Sequence, residues 1–244
     1  MIPLRDENPT RTTPVIVIAL IIANVLMFLI DRLGAHGPVG ALYEFRMVPQ
    51  NIINEVRGVG PVAPTLQPVW LTIFTSMFMH ANLLHIGGNM LYLWIFGNNI
   101  EDRVGHVKFV LFYLAGGFAA AAAHILSTAG NPFLAKLPTV GASGAVAAVL
   151  GAYLVLFPTA RIICLVILGF LITTVAVPAI VVLLIWIALQ IVSVSVVGGP
   201  GAMSGGVAYW AHIGGFFAGV IMIYLLGGKR LLGGRRRYTG YPEW

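Results

Sequence analysis

Three stretches of the chain hold side chains that could do chemistry together. Gly141-Ala142-Ser143-Gly144-Ala145 opens an apolar run that lasts to Phe157. A serine at a helix start is surrounded by backbone N–H groups with no intrahelical partner, and such groups can bind a developing oxyanion. The same small residues also suit plain packing, because Gly, Ala and Ser let membrane helices approach closely. The second stretch offers His85 and Asn89, four apart and so on one helical face. The third offers His212, within Ala211-His212-Ile213-Gly214-Gly215. A serine with a histidine points to acyl transfer: His212 takes the Ser143 proton as general base and the serine attacks a peptide carbonyl. His85, Asn89 and the backbone N–H of Ser143 would then stabilise the oxyanion. Each residue alone has a plainer account. Asn89 could be interhelical glue, and a membrane histidine such as His124 could simply hydrogen-bond a neighbouring helix.

The elements that must position these residues are membrane helices. The 244 residues are 59% hydrophobic and 9% charged, with mean hydropathy +0.92, far from the roughly 25% charged residues of soluble domains. The single cysteine, Cys164, excludes a disulfide within the chain and a thiolate cluster for a metal. The formal charge of +6 invites a nucleic-acid reading, but five of the fourteen basic residues lie between Lys229 and Arg237, directly after a hydrophobic segment. Basic residues placed so mark the cytoplasmic side of a membrane. No nucleic-acid partner and no cofactor is expected; lipid is.

Residues 1–13 form a short polar, cytoplasmic segment. Val15 to Ile30 is long enough, with its flanks, to span a bilayer of about 30 Å when tilted. A cleaved leader is the rival there; no clear small-x-small site follows and the leader is not clearly basic, so a retained helix is favoured. Residues 33–82 are broken by ten Gly and Pro residues and cannot be one helix. Within them Tyr43–Val48 and Trp70–Met79 are apolar but short, which suits a long first outer loop partly embedded in the membrane. Further spans are expected at about 83–100, 107–127, 142–157, 179–197 and 206–226. Residues 161–175 are apolar but lie between prolines and are expected to rest in the interface, with a seventh span as the alternative. The expected fold is an all-α, six-helix membrane domain over residues 14–228, with a basic cytoplasmic tail over 229–244.

The basic residues also set the orientation. With the N-terminus inside, Arg5, Arg11, Arg103, Lys108, Arg161 and the five of the tail are inside, against Arg32, Arg46, Arg57 and Lys136 outside: ten against four. Both termini are therefore expected in the cytoplasm. Spans two, four and six then all begin on the outer side. The run from Ser143 to Phe157 covers only about 22 Å of a roughly 30 Å core, so the serine sits sunk by several Å. His212, about six residues into its span, lies about 9 Å down. The depths agree, and both helices offer small residues at four-residue spacing: Ala211, Gly215 and Gly219 on one, Gly144, Ala148 and Ala152 on the other. Such faces allow the close backbone approach that a Ser143–His212 hydrogen bond needs.

No Asp or Glu occurs between Arg103 and Pro242. A serine triad with a carboxylate is therefore not expected, nor is the paired-carboxylate chemistry of an aspartyl protease. Two non-proteolytic alternatives remain at this stage: a haem or quinone protein using His85 and His212, and a small transporter.

The combined motifs resemble those of the rhomboid intramembrane serine proteases: His80-Ala81-Asn82-Leu83-Leu84-His85-Ile86-Gly87-Gly88-Asn89, Gly141-Ala142-Ser143-Gly144 and Ala211-His212-Ile213-Gly214-Gly215, in that order and on the second, fourth and sixth helices. The likeness covers about residues 67–226, and the opening Ile2 to Thr10 looks like the start of many bacterial members. The resemblance implies a serine endopeptidase of the bacterial plasma membrane that cuts single-span membrane proteins near the outer face. It implies Ser143 and His212 as the dyad and His85, Asn89 and Gly141 as oxyanion and substrate-binding residues. Two positions depart from the pattern. Leu71 follows Trp70 where members often carry arginine, and Ala147 stands where some bacterial members place an aromatic ring on the histidine.

Overall fold

Small residues decide where the centre of this protein lies. A computed structural model describes residues 2–34, 42–169, 171–197, 203–204 and 207–232. In chain order the elements are β1 (Ile2–Asp6), α1 (Val15–Leu33), α2 (Pro49–Val56), α3 (Thr72–Thr75), α4 (Leu83–Tyr92), α5 (Asn98–Val104), α6 (His106–Thr128), α7 (Pro132–Ala135), α8 (Ser143–Leu156), β2 (Arg161–Leu168), β3 (Leu171–Pro178), α9 (Ala179–Val197), β4 (Met203–Ser204), β5 (Val207–Ala208) and α10 (Tyr209–Leu225). A π-helical turn, Leu93–Gly97, joins α4 to α5.

Twelve of the fourteen residues of α8 are buried, so this helix is wrapped by the others. Its neighbours can come close because glycines meet backbone. Gly215 of α10 abuts the carbonyl of Gly144, Gly219 abuts that of Ala148, and Gly151 of α8 abuts that of Phe216. On the other side, Gly116 of α6 faces the Ala148 methyl group. Without Cβ atoms at these points the helix axes would be forced apart. The two small-residue faces expected from the sequence are the ones in contact; the Gly151 contact is an addition to them.

Helices α1, α6 and α9 are each long and apolar enough to cross a membrane. The continuous helix Leu83–Val104 qualifies together with Val69–Phe78, from which it is bent by 83°. Helices α8 and α10 are apolar but shorter. The protein is thus a predominantly helical integral membrane protein. One face of α9 is buried through Val182, Leu183 and Ile187, while Ile180, Val181, Leu184 and Leu189 are exposed, as lipid contact demands.

The chain is not all-α. Residues 161–175 form neither a seventh span nor a helix but most of a hairpin, in which β2 pairs antiparallel with β3 and, on its other edge, with β1. Runs rich in Ile, Val and Thr favour extended backbone, and Gly169 supplies the positive φ of +60° at the turn. The segment before Pro14 is tied to the bundle as well. Asp6 accepts hydrogen bonds from the Tyr153 hydroxyl and from Asn99 Nδ2, both at 2.7 Å, which fasten β1 to α8 and α5.

Carboxylates fasten other joints. Pro14 brings no side-chain cap to α1, and Glu101, wholly buried, accepts from the N–H groups of Ile16 and Val17 at 2.9 Å instead. Asp102 does the same for Arg11 and Thr12. In the long first loop, the Glu55 carboxylate accepts from the N–H groups of Val69 and Trp70 at 2.7 and 3.0 Å. Gly37, Pro38 and Gly40 of that loop and Arg235 to Arg237 of the basic tail lie outside the described residues.

Candidate active site

The apolar run from Ser143 needs a defined start, and the chain before it is held on two sides. Met47 and Thr139 exchange backbone hydrogen bonds of 3.2 and 2.7 Å, and the Gly141 N–H donates to the Ser76 carbonyl at 2.9 Å. Gly141 then turns with φ +124°, a conformation that side-chain-bearing residues avoid. A Cβ there would lie 2.7 Å from His85 Nε2. The turn thus passes the backbone directly against the His85 ring. Ala142 precedes α8 with no side-chain cap, so the first-turn N–H groups of the serine helix are left available.

Ser143 Oγ lies 2.8 Å from His212 Nε2, a distance at which the hydroxyl donates to the neutral imidazole when that ring carries its proton on Nδ1. The other ring nitrogen, Nδ1, is 2.8 Å from Gln190 Oε1 on α9. The Trp186 ring, one turn before Gln190, lies 5.6 Å from the His212 ring, tilted by 33°. Both imidazole nitrogens are therefore engaged by protein.

Asn82 caps α4 by accepting from the His85 N–H at 2.9 Å, and this fixes the first turn from which His85 projects. Asn89 follows one turn later, its Nδ2 2.9 Å from Nε2 of the buried His80. Ser143, His212, His85, Asn89 and Gly141 all line one cavity of about 370 Å³, whose walls also include Met47, Ile73 and Val207. Every site residue expected from the sequence is therefore at this cavity. His124 is not; its Nε2 is 3.0 Å from Thr139 Oγ1, the plain neighbour contact considered for it.

A serine hydroxyl bonded to an imidazole, beside polar donors and uncapped helix N–H groups, can in chemical terms attack a carbonyl and hold the resulting oxyanion. Comparison with known proteins agrees. The family model of the Rhomboid domain matches residues 67–229. The chain belongs to the rhomboid family. The bundle, cavity and Ser143–His212 pair described above are those of this rhomboid chain. Among relatives, RHOMBOID-like protein 6, mitochondrial, of Arabidopsis thaliana is 29% identical over 174 residues, 62% of this chain and 54% of the relative. Rhomboid protein 1, mitochondrial, of Saccharomyces cerevisiae is 37% identical over 97 residues, 38% of this chain and 27% of that protein. Rhomboid protease GluP of Bacillus subtilis is 35% identical over 88 residues, 36% of this chain and 16% of that protein. The rhomboid chain thus spans about half the length of the first and less of the others.

Both departures from the family pattern find a local account. Ala147 is fully buried, and the ring beside His212 comes from Trp186 instead. At Trp70-Leu71 the loop is anchored by Glu55 through backbone N–H groups, with Trp70 edge-on to Phe74 at 6.3 Å. Sequence reasoning missed His80, Trp186 and Gln190. The last two are four apart in an otherwise apolar helix, a polar residue and an indole on one face, and that spacing was a usable signal.

Proposed function

We propose that this protein is a serine endopeptidase that cleaves single-span membrane proteins within the bilayer, near its outer face. The observation that carries the proposal is the 2.8 Å hydrogen bond between Ser143 and His212, inside a cavity also lined by His85, Asn89 and Gly141. Ser143 Oγ attacks the carbonyl carbon of the scissile peptide as its proton passes to His212 Nε2. The oxyanion is held by the Ser143 N–H, His85 and Asn89. His212 returns the proton to the leaving amine, and water then hydrolyses the acyl-enzyme by the same relay in reverse.

In this reading α8 and α10 are short members of a six-span bundle, and the shortness of these apolar helices supports chemistry sunk below the outer surface. The ten-to-four distribution of basic residues supports cytoplasmic termini. On the same reading the protein lies in a bacterial plasma membrane, with its membrane domain over 14–228 and a basic tail beyond. A helical substrate hides its carbonyls in internal hydrogen bonds, so good substrates carry small or helix-breaking residues at the cut. The test is co-reconstitution of the protein with a single-span model substrate in lipid vesicles. Wild type should cut it in the outer third of its span and Ser143→Ala should not. Equal cleavage by Ser143→Ala would overturn the proposal.

A further inference from the structure

Among the described residues no acidic side chain is bonded to His212, yet its imidazole is not left to rotate. Among the described residues the acceptor at Nδ1 is Gln190 Oε1, at 2.8 Å. The orientation of that amide is settled by its other half. Gln190 Nε2 donates to the Trp186 carbonyl one turn back on α9, at 3.4 Å, so the oxygen, not the nitrogen, is turned to the histidine. Trp186 then closes one face of the ring at 5.6 Å and itself stacks on Phe216 of α10, with centroids 6.1 Å apart. The imidazole is thus gripped at an edge and on a face by two residues of a single helix.

An acceptor at Nδ1 has a chemical consequence. It keeps the proton on Nδ1 and leaves Nε2 with a lone pair aimed at the Ser143 hydroxyl, the tautomer a general base needs. A serine triad uses a carboxylate for this, and when that carboxylate is replaced by an amide that presents the wrong partner, the rate falls about 10⁴-fold. Here the amide presents its oxygen, which serves the same orienting purpose without a charge. In a low-dielectric setting a neutral acceptor also avoids the cost of a buried carboxylate.

We infer that Gln190 is the positioning residue of the dyad, acting through His212 rather than on the substrate and standing where a triad has its acid, with Trp186 holding the ring plane. The inference rests on the dyad reading above. Its test is to compare wild type, Gln190→Leu, Gln190→Glu and Ser143→Ala in vesicles, measuring kcat and KM separately, and to record ¹⁵N spectra of histidine-labelled protein. Leucine fills the space but offers no acceptor, whereas glutamate keeps one. Gln190→Leu should lower kcat by about 10–100-fold with KM unchanged, a smaller loss than that of a triad acid because no charge is removed. Its His212 signals should show a mixture of tautomers, while Gln190→Glu keeps kcat near wild type and the Nδ1–H tautomer. Wild-type kcat and an unmixed tautomer in Gln190→Leu would overturn the inference. So would an equal loss of kcat in Gln190→Glu that folds and melts like wild type. If Gln190→Leu fails to fold, the Gln190→Glu result alone decides. A failure of the dyad reading looks different, because then Ser143→Ala itself stays active.

Discussion

Gly219 of α10 rests directly on the backbone carbonyl of Ala148 of α8, so that a Cβ at that glycine would overlap the oxygen. One turn earlier Gly215 rests on the carbonyl of Gly144, the neighbour of Ser143. The helices that bear the serine and the histidine are therefore in backbone contact, and their separation sets the 2.8 Å hydrogen bond.

Gly219→Val must push α10 from α8. Overpacking of this kind costs about 1–3 kcal/mol, and here the obstacle is backbone, which cannot step aside. The expected outcome is a lower thermal midpoint together with loss of Ser143 labelling by a fluorophosphonate. Gly130→Ala is the matched control, since a Cβ there meets nothing within 4 Å. Intact labelling in Gly219→Val would show that the contact does not set the dyad distance.

Asn89→Ala removes one donor from the oxyanion side and should slow turnover by about 10²–10³-fold while leaving Ser143 at least partly open to a small fluorophosphonate. His80→Ala should act in the same direction, because it strips Asn89 of its 2.9 Å partner, the Ala142 N–H of a 3.5 Å acceptor and the His85 ring of an edge-on neighbour at 5.1 Å. Gly141→Ala should do harm by another route, since its Cβ would meet the His85 ring and φ +124° would be strained. Steady-state rates beside labelling rates separate these cases, and full wild-type turnover in Asn89→Ala would remove that residue from the mechanism.

Neutralising Asp31, Glu44, Glu55, Glu101 and Asp102 one at a time, as Asn or Gln, should leave kcat near wild type. Asp31 accepts from the Leu42 N–H and pairs with Arg46 at 3.4 Å, and Glu55, Glu101 and Asp102 cap backbone segments elsewhere. Glu101→Gln should instead lower stability by about 1 kcal/mol, the size of a lost helix cap. A drop in kcat near 10⁴-fold in any one of these variants, correctly folded, would mean that a triad acid had been found.

Burial pushes the Asp6 carboxyl above its ordinary 3.8, a rise that hydrogen bonds from Tyr153 and other neighbours only partly offset. The folded protein thus holds this proton more tightly than the unfolded chain. Stability from this group is lost as pH rises from 3.8 through the raised folded-state value, and the ionised form is a net cost at neutral pH. Asp6→Asn can keep an oxygen facing Tyr153 and Asn99 while shedding the charge. Thermal unfolding in detergent should show Asp6→Asn at least as stable as wild type at pH 7, with a flatter dependence on pH above 3.8. A clear fall in its midpoint at pH 7 would mean that the charge itself holds β1 to α8.

Much of this was legible in residue order. Apolar runs of span length, the small residues at four-residue spacing on α8 and α10, and the placement of Ser143, His85, Asn89 and His212 near helix starts were local properties. A helix converts such spacing into a face and a depth without reference to the rest of the chain. The same locality explains why the hairpin was not read. Residues 161–175 are as apolar as a span, and only their pairing with β1 and with the strand that follows made them a sheet. Hydropathy records that a segment avoids water and is blind to which backbone partner satisfies its N–H and C=O groups.

What tertiary structure alone decided is which side chains complete the site. His80 against Asn89, and Trp186 and Gln190 against His212, are separated by 9, 26 and 22 positions in the chain. No short-range period links a residue of α9 to one of α10. Their meeting depends on the angle and distance at which two helices cross, and those are set by Cβ-free contacts such as Gly219 on Ala148. The sequence by itself singled out Ser143 and His212 as the candidate pair, because a nucleophile and a base are recognised by residue type. The partner of the base is an ordinary glutamine until packing brings its carbonyl oxygen to 2.8 Å from an imidazole nitrogen.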